Sequence, residues 1–147
     1  MVVSMAAPLF ERILIATDGS EKNSAALDEG LAIARACNAP LYAVYVIDTR
    51  PIVSAGGDFP VGDTYRMYQS EAERALSRVK DRAGDVKVEP AILEGNPATE
   101  IVRFAAAKKI DLIVIATQGK KGLERLLLGS VAEEIIRSAH CKVLVVK

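Results

Sequence analysis

The chain is predicted to be an α/β domain in which a parallel sheet is covered by helices on both sides. Three observations predict it: continuous apolar runs rich in β-branched residues, apolar stripes at helical spacing between those runs, and a regular alternation of the two. Continuous runs belong to strands buried on both faces, whereas a strand with one wet face alternates. Right-handed crossovers between parallel strands then place helices on both faces of one sheet. At 147 residues a single domain, residues 1–147, is expected, because the chain is long enough for one substantial core and too short for two.

The first run, Ile13 to Ala16, marks a strand near 11–17, and Leu27, Gly30, Leu31 and Ala34 follow as an i, i+3, i+4, i+7 stripe that marks a helix. Leu41 to Ile47 marks the second strand, near 40–47. Residues 50–64 contain Pro51, Gly56, Gly57, Pro60 and Gly62 and read as a long loop or lid, too broken for a tight connection. Ala72, Ala75, Leu76 and Val79 form the second helical stripe, and the alternating run Val86 to Leu93 the third strand. Asn96-Pro97 opens the third helix, since proline's missing N–H costs nothing at a first helical position. Its stripe is Ala98, Ile101, Val102 and Ala105, and the fourth strand follows near 111–117 with the run Leu112 to Ala116. Ser130, three residues before Glu133, has the spacing of a capping box at the start of a fourth helix striped by Ala132, Ile135, Ile136 and Ala139. Val143 to Val146 closes the chain as a strand near 142–147, expected at a sheet edge, where unpaired apolar backbone invites a second chain.

Composition excludes several function classes. Basic and acidic residues balance at 19 each, so no global field draws the molecule to nucleic acid or an anionic membrane. No apolar stretch approaches the roughly 20 residues that span a bilayer. Cys37 and Cys141 lack metal or redox spacing and read as small apolar residues. Residues 1–8 hold no basic cluster followed by an apolar run, so a cytoplasmic location is expected. The one histidine, His140, reads as an exposed helix-end residue near a negative dipole end.

Ligands of open parallel sheets sit beyond the carboxyl ends of the strands. Thr17-Asp18-Gly19-Ser20 after the first strand, Val46-Ile47-Asp48 at the end of the second, and the loop from Thr117 to Gly129 converge on that edge. Gly119 permits close backbone approach, and amides at Gly129 and Ser130 favour an anion. A phosphate chain would accept several such bonds, with Lys120, Lys121 and Arg125 adding positive charge. On these residues alone, Ser130 reads equally as a plain helix cap, and Asp48 as a ligand to a ribose or metal or a solvated carboxylate. Leu123, Leu126 and Leu127 read as packing over the sheet edge or a contact for a partner.

The combination resembles the universal stress protein family. The resemblance rests on Ile13-Leu14-Ile15-Ala16-Thr17-Asp18-Gly19-Ser20, Glu94-Gly95-Asn96-Pro97, Asp111-Leu112-Ile113-Val114, and the stretch from Leu126 to Glu133. The family's nucleotide motif, G-x2-G-x9-G-[S/T], finds Gly119, Gly129 and Ser130 in register, with Ala116 in place of its first glycine and Gln118 where many relatives carry histidine. The resemblance implies a Rossmann-like, adenine-nucleotide-alpha-hydrolase-like sheet of five parallel strands in order 3-2-1-4-5, with ATP across the ends of strands one and four. It further implies that Ala16, Thr17 and Asp18 line the adenosine side and that Val46 meets adenine through its backbone. Ala116, Gly119, Lys120, Lys121, Gly129, Ser130 and Val131 would then surround the phosphates, with Mg or Mn accompanying them. A homodimer through Val143, Leu144, Val145 and Val146 is implied as well.

The leading expectation is therefore an ATP-binding regulatory module of the stress response, a homodimer with a protein partner, with AMP or another adenine nucleotide as alternative ligands. Two other readings stand beside it: a slow ATPase or phosphoryl-transfer enzyme, disfavoured by the lack of a G-x-x-x-x-G-K-[S/T] loop, and a dimeric interaction module without nucleotide.

Overall fold

The computed structural model describes residues 7–50, 62–117 and 128–147. The strands are β1 (Ile13–Ala16), β2 (Leu41–Asp48), β3 (Val88–Gly95), β4 (Leu112–Ala116) and β5 (Lys142–Val146). The helices among the described residues are α1 (Ser24–Cys37), α2 (Asp63–Ala83), α3 (Pro97–Ala107) and α4 (Ser130–Ser138). All strand pairs are parallel and the order is β3-β2-β1-β4-β5, as expected.

The central strands explain why their sequence does not alternate. Ile13 and Ile15 pack into one core with residues of α1 and α2, whereas Leu14 between them packs into a second core with residues of α3 and α4. All three are fully buried. In β4, Leu112 and Val114 join the first core and Ile113 and Ile115 the second. Each such side chain stabilises the fold by about 1.5–3 kcal/mol relative to exposure, so both faces of this pair are strongly committed.

Helix ends follow local chemistry. α1 stops at Asn38, which adopts the left-handed conformation at φ 51°, a geometry asparagine tolerates better than most residues. α3 starts as its Asn-Pro pair predicts, with Asn96 Oδ1 accepting the Ala98 amide at 3.1 Å and Pro97 in the first turn.

Two boundaries and one buried stripe differ from expectation. α2 begins at Asp63 and so takes Asp63 and Thr64 out of the expected loop, with Gly62 at its N-cap, while residues 51–61 of that loop lie outside the described residues. β3 lies two residues further along than expected, because Val86 bonds the Ala83 carbonyl in the turn that ends α2. Ile136 belongs to the apolar stripe of α4 yet is 44% exposed, while Ala132 and Ile135 are buried. Among the described residues no helix is long and apolar enough to cross a membrane.

Candidate functional site

The sheet comes apart at the carboxyl ends of its central strands. β1 and β4 run together to Ile15 and Val114. Beyond that point the Thr17 amide bonds the Val44 carbonyl of β2 at 2.9 Å, and the Thr117 amide bonds the Val146 carbonyl of β5 at 3.1 Å. The two tips are thus tied to opposite halves of the sheet, at the switch point where α/β sheets receive ligands.

The register of β2 decides what Val46 presents there. The Ile13 amide bonds Pro40 O and the Thr17 amide bonds Val44 O, so even-numbered residues of β2 turn their main-chain groups toward β1. Val46 is next in that series, one step past the last of these bonds. Its N–H and C=O therefore face the space beyond the tip of β1, while its side chain packs toward the core under α3 and α4.

The loop after β1 is ordered from within. The Thr17 hydroxyl accepts the Gly19 amide at 3.1 Å, and Asp18 Oδ1 accepts both the Ser20 amide at 2.9 Å and the Ser20 hydroxyl at 2.6 Å. Such Asx and hydroxyl turns are what Asp, Ser and Thr side chains offer a backbone leaving a strand. The Asp18 amide donates to Asn23 Oδ1 at 2.6 Å, and Arg78 of α2 donates to the Gly19 carbonyl at 2.9 Å. Sequence reasoning identified Ala16, Thr17 and Asp18 but missed Asn23 and Arg78. An asparagine five residues after Asp18 in a polar turn was the available signal for Asn23; none marked Arg78, which is remote in sequence.

The opposite wall is the mouth of α4, and here the capping-box expectation is corrected. The Glu133 amide bonds the Gly129 carbonyl at 3.0 Å, so Gly129, extended at φ −75° and ψ 161°, is the N-cap and Ser130 the first helical residue. Ser130 sits one position too far into the helix to cap it, and no side chain caps α4. The Gly129 amide is taken by the Thr117 carbonyl at 2.6 Å. The amides of Ser130, Val131 and Ala132 precede the first intrahelical bond and stand at the positive end of the helix. Ser130 is exposed, and Gly129 and Val131 are half-buried.

Ala116, in the place of a glycine, pairs with Val146 in the β4–β5 ladder. Among the described non-glycine residues only Asn38 and Lys109 have positive φ, so the Ala116 methyl imposes no backbone strain. Asp48 is a partly exposed carboxylate paired within its own turn. It holds the Arg50 guanidinium through two bonds of 3.0 and 2.8 Å. Arg50 is held firmly in its charged form, chiefly by the bond to Asp48, with burial opposing and the charges of Asp48 and Glu134 adding. Gly119, Lys120 and Lys121 lie outside the described residues, as do Gln118, Leu123, Arg125, Leu126 and Leu127. His140 is exposed beyond the end of α4, and Cys37 and Cys141 are free thiols packed against the two cores.

Comparison with known proteins places this architecture. Residues 9–147 match the model of the universal stress protein family. Universal stress protein MJ0531 of Methanocaldococcus jannaschii is 46% identical over 141 residues, covering 95% of this chain and 83% of that protein. Hypothetical protein MJ0577, the subject of a structure-based assignment of biochemical function, superposes with a TM-score of 0.81 at 31% identity, covering 95% of this chain and 96% of that one. A universal stress protein crystallised in complex with cAMP superposes with a TM-score of 0.66 at 28% identity, covering 94% and 97% of the two chains. A match that runs from Leu9 to the last residue, on a sheet with the expected strand order, makes the chain a member of the universal stress protein family.

Proposed function

We propose that the protein binds an adenine nucleotide, ATP foremost, across the carboxyl ends of β1 and β4, and that it acts as a nucleotide-responsive regulatory module in a homodimer. The observation that carries this reading is the group of main-chain amides at Ser130, Val131 and Ala132. They stand at the carboxyl edge of the sheet, on which the Asp18 loop and the outward main chain of Val46 also lie. Amides at a helix mouth suit phosphate oxygens. Backbone N–H and C=O groups at Val46 suit the donor and acceptor edge of adenine. The solved relative in complex with cAMP supports the ligand class. In this reading Mg or Mn accompanies the phosphates, as the family resemblance implies.

In this reading Ala16, Thr17, Asp18 and Val46 contact the adenosine part, and Ala116, Gly119, Lys120, Lys121, Gly129, Ser130 and Val131 the phosphates. Titration calorimetry with Mg-ATP tests it: wild type releases binding heat, and Gly129→Val and Gly119→Val abolish it. A hundredfold excess of ligand over Kd should also raise stability by about 2.7 kcal/mol. A silent wild-type trace at millimolar ATP would reject nucleotide binding. An intact dimer with that silent trace would favour the interaction-module reading, which the β5 edge, unpaired among the described residues, and the 44% exposed Ile136 support.

A further inference from the structure

We propose that Asn23 and Arg78 are positioning residues that hold Asp18 for the nucleotide, so that affinity is set partly by α2, an element outside the nucleotide motif. This rests on the nucleotide reading above. Two independent contacts fix the loop between β1 and α1. From one side, the Asn23 carboxamide oxygen accepts the Asp18 amide at 2.6 Å, and Asn23 is only 6% exposed. Asn23 closes a short 3-10 turn, its own amide bonding Ser20 O at 3.1 Å. Its side chain thus spans the base of the loop. A part-buried amide left without that acceptor would lose its bond, so the main chain at Asp18 would turn to find another partner.

From the other side, α2 grips Gly19. Arg78 donates to the Gly19 carbonyl at 2.9 Å, and a Cβ built on Gly19 would lie 3.1 Å from Ala75 Cβ. Ala75 and Arg78 are three residues apart and share one face of α2. That face therefore presses on the Cα of Gly19 and bonds its carbonyl together. Gly19 adopts φ 79°, so the peptide that follows Asp18 is oriented by these contacts rather than by an intrinsic preference. Asp18 is thus anchored at its own amide and at the residue that follows it, and this fixes the main chain from which its carboxylate, bonded to Ser20, extends.

The test measures the affinity of the full-length protein for Mg-ATP and for adenosine, alongside unliganded thermal stability. Arg78→Met, at a solvent-exposed position, should leave the melting temperature unchanged and weaken both ligands by a similar factor, roughly three- to tenfold, with Arg78→Lys restoring most of the loss. Asn23→Leu should weaken both by more than tenfold and accelerate hydrogen exchange at the Asp18 amide. Loss for ATP with adenosine unaffected would show Arg78 acting only as a distant charge, and would overturn the proposal. So would wild-type affinity in Arg78→Met, or an Asp18 amide that stays protected in Asn23→Leu. A wild-type protein that binds neither ligand would instead remove the nucleotide reading itself.

Discussion

Replacing Gly19 with alanine tests two constraints at once. The residue sits at φ 79°, where a side chain costs about 1–2 kcal/mol, and its new methyl would press on Ala75 Cβ at 3.1 Å. Gly19→Ala should lower the urea midpoint accordingly; a midpoint equal to wild type would mean that the loop relaxes freely. At this scale the sequence was informative where the chemistry is local. Asp18, Gly19 and Ser20 form a turn whose bonds span two residues, and composition alone announces such a turn. The contacts of Asn23 and Arg78 depend on how a 3-10 turn folds back and on where α2 lands, which no local pattern carries. Cys141 makes a further point. Burial raises its thiol above the ordinary value of 9.0, with the charge of Asp111 acting in the same direction. A folded value above the unfolded one gives stability that is full below the ordinary value and is lost as pH rises through the folded one. Compared with Cys141→Ala, wild type should therefore lose ground steadily as pH increases past 9.0. A stability difference between the two that stays constant with pH would contradict this.

The two helices that start beside strands β3 and β4 begin in different ways, and the difference separates capping from binding. α3 has a side-chain cap, Asn96 bonding the Ala98 amide at 3.1 Å, and Asn96→Ala should cost about 1 kcal/mol in chemical denaturation. α4 has Gly129 in that place and no side-chain cap, so Ser130→Ala should change stability by less than about 0.5 kcal/mol while weakening nucleotide binding. A large stability loss in Ser130→Ala would restore the capping role that the sequence pattern suggested. The stripe of α4 illustrates a related limit. Periodicity orders Ala132, Ile135, Ile136 and Ala139 along one side, but the width of the buried stripe depends on the neighbours. α4 covers the β5 rim, where among the described residues no further strand extends the floor, so Ile135 is fully buried and Ile136 is 44% exposed. Strands β1 and β4 are legible because both faces are deeply covered; β3 is a mostly half-buried edge strand whose apolar run is broken by Glu89 and Pro90, and it starts two residues beyond its expected position.

The whole molecule has two sheet edges, and the chain treats them differently. On β3 the Leu41 amide bonds Lys87 O and the Thr49 amide bonds Gly95 O, so odd-numbered residues face β2 and even-numbered ones face outward. Pro90 is therefore on the outward series, and its missing N–H removes a donor from the open edge without cutting the ladder. Glu94 lies on the same series. On β5 the Thr117 amide bonds Val146 O, so Val146 and Leu144 face β4, while Val143 and Val145 direct N–H and C=O to the open side. No proline or acidic residue interrupts Lys142–Val146. One edge is thus blunted and the other left competent to pair, which supports a dimer closed through β5. The register also supplies a substitution that separates pairing from folding. Val145→Pro removes an outward donor and leaves every β4–β5 bond donated by the even series in place. Light scattering should find this variant monomeric with a near-native circular dichroism spectrum, whereas Leu144→Pro, which cuts the internal ladder, should lose stability. A Val145→Pro protein that still sediments as a dimer would mean that the copies meet on another surface, with the exposed Ile136 on α4 the first place to look.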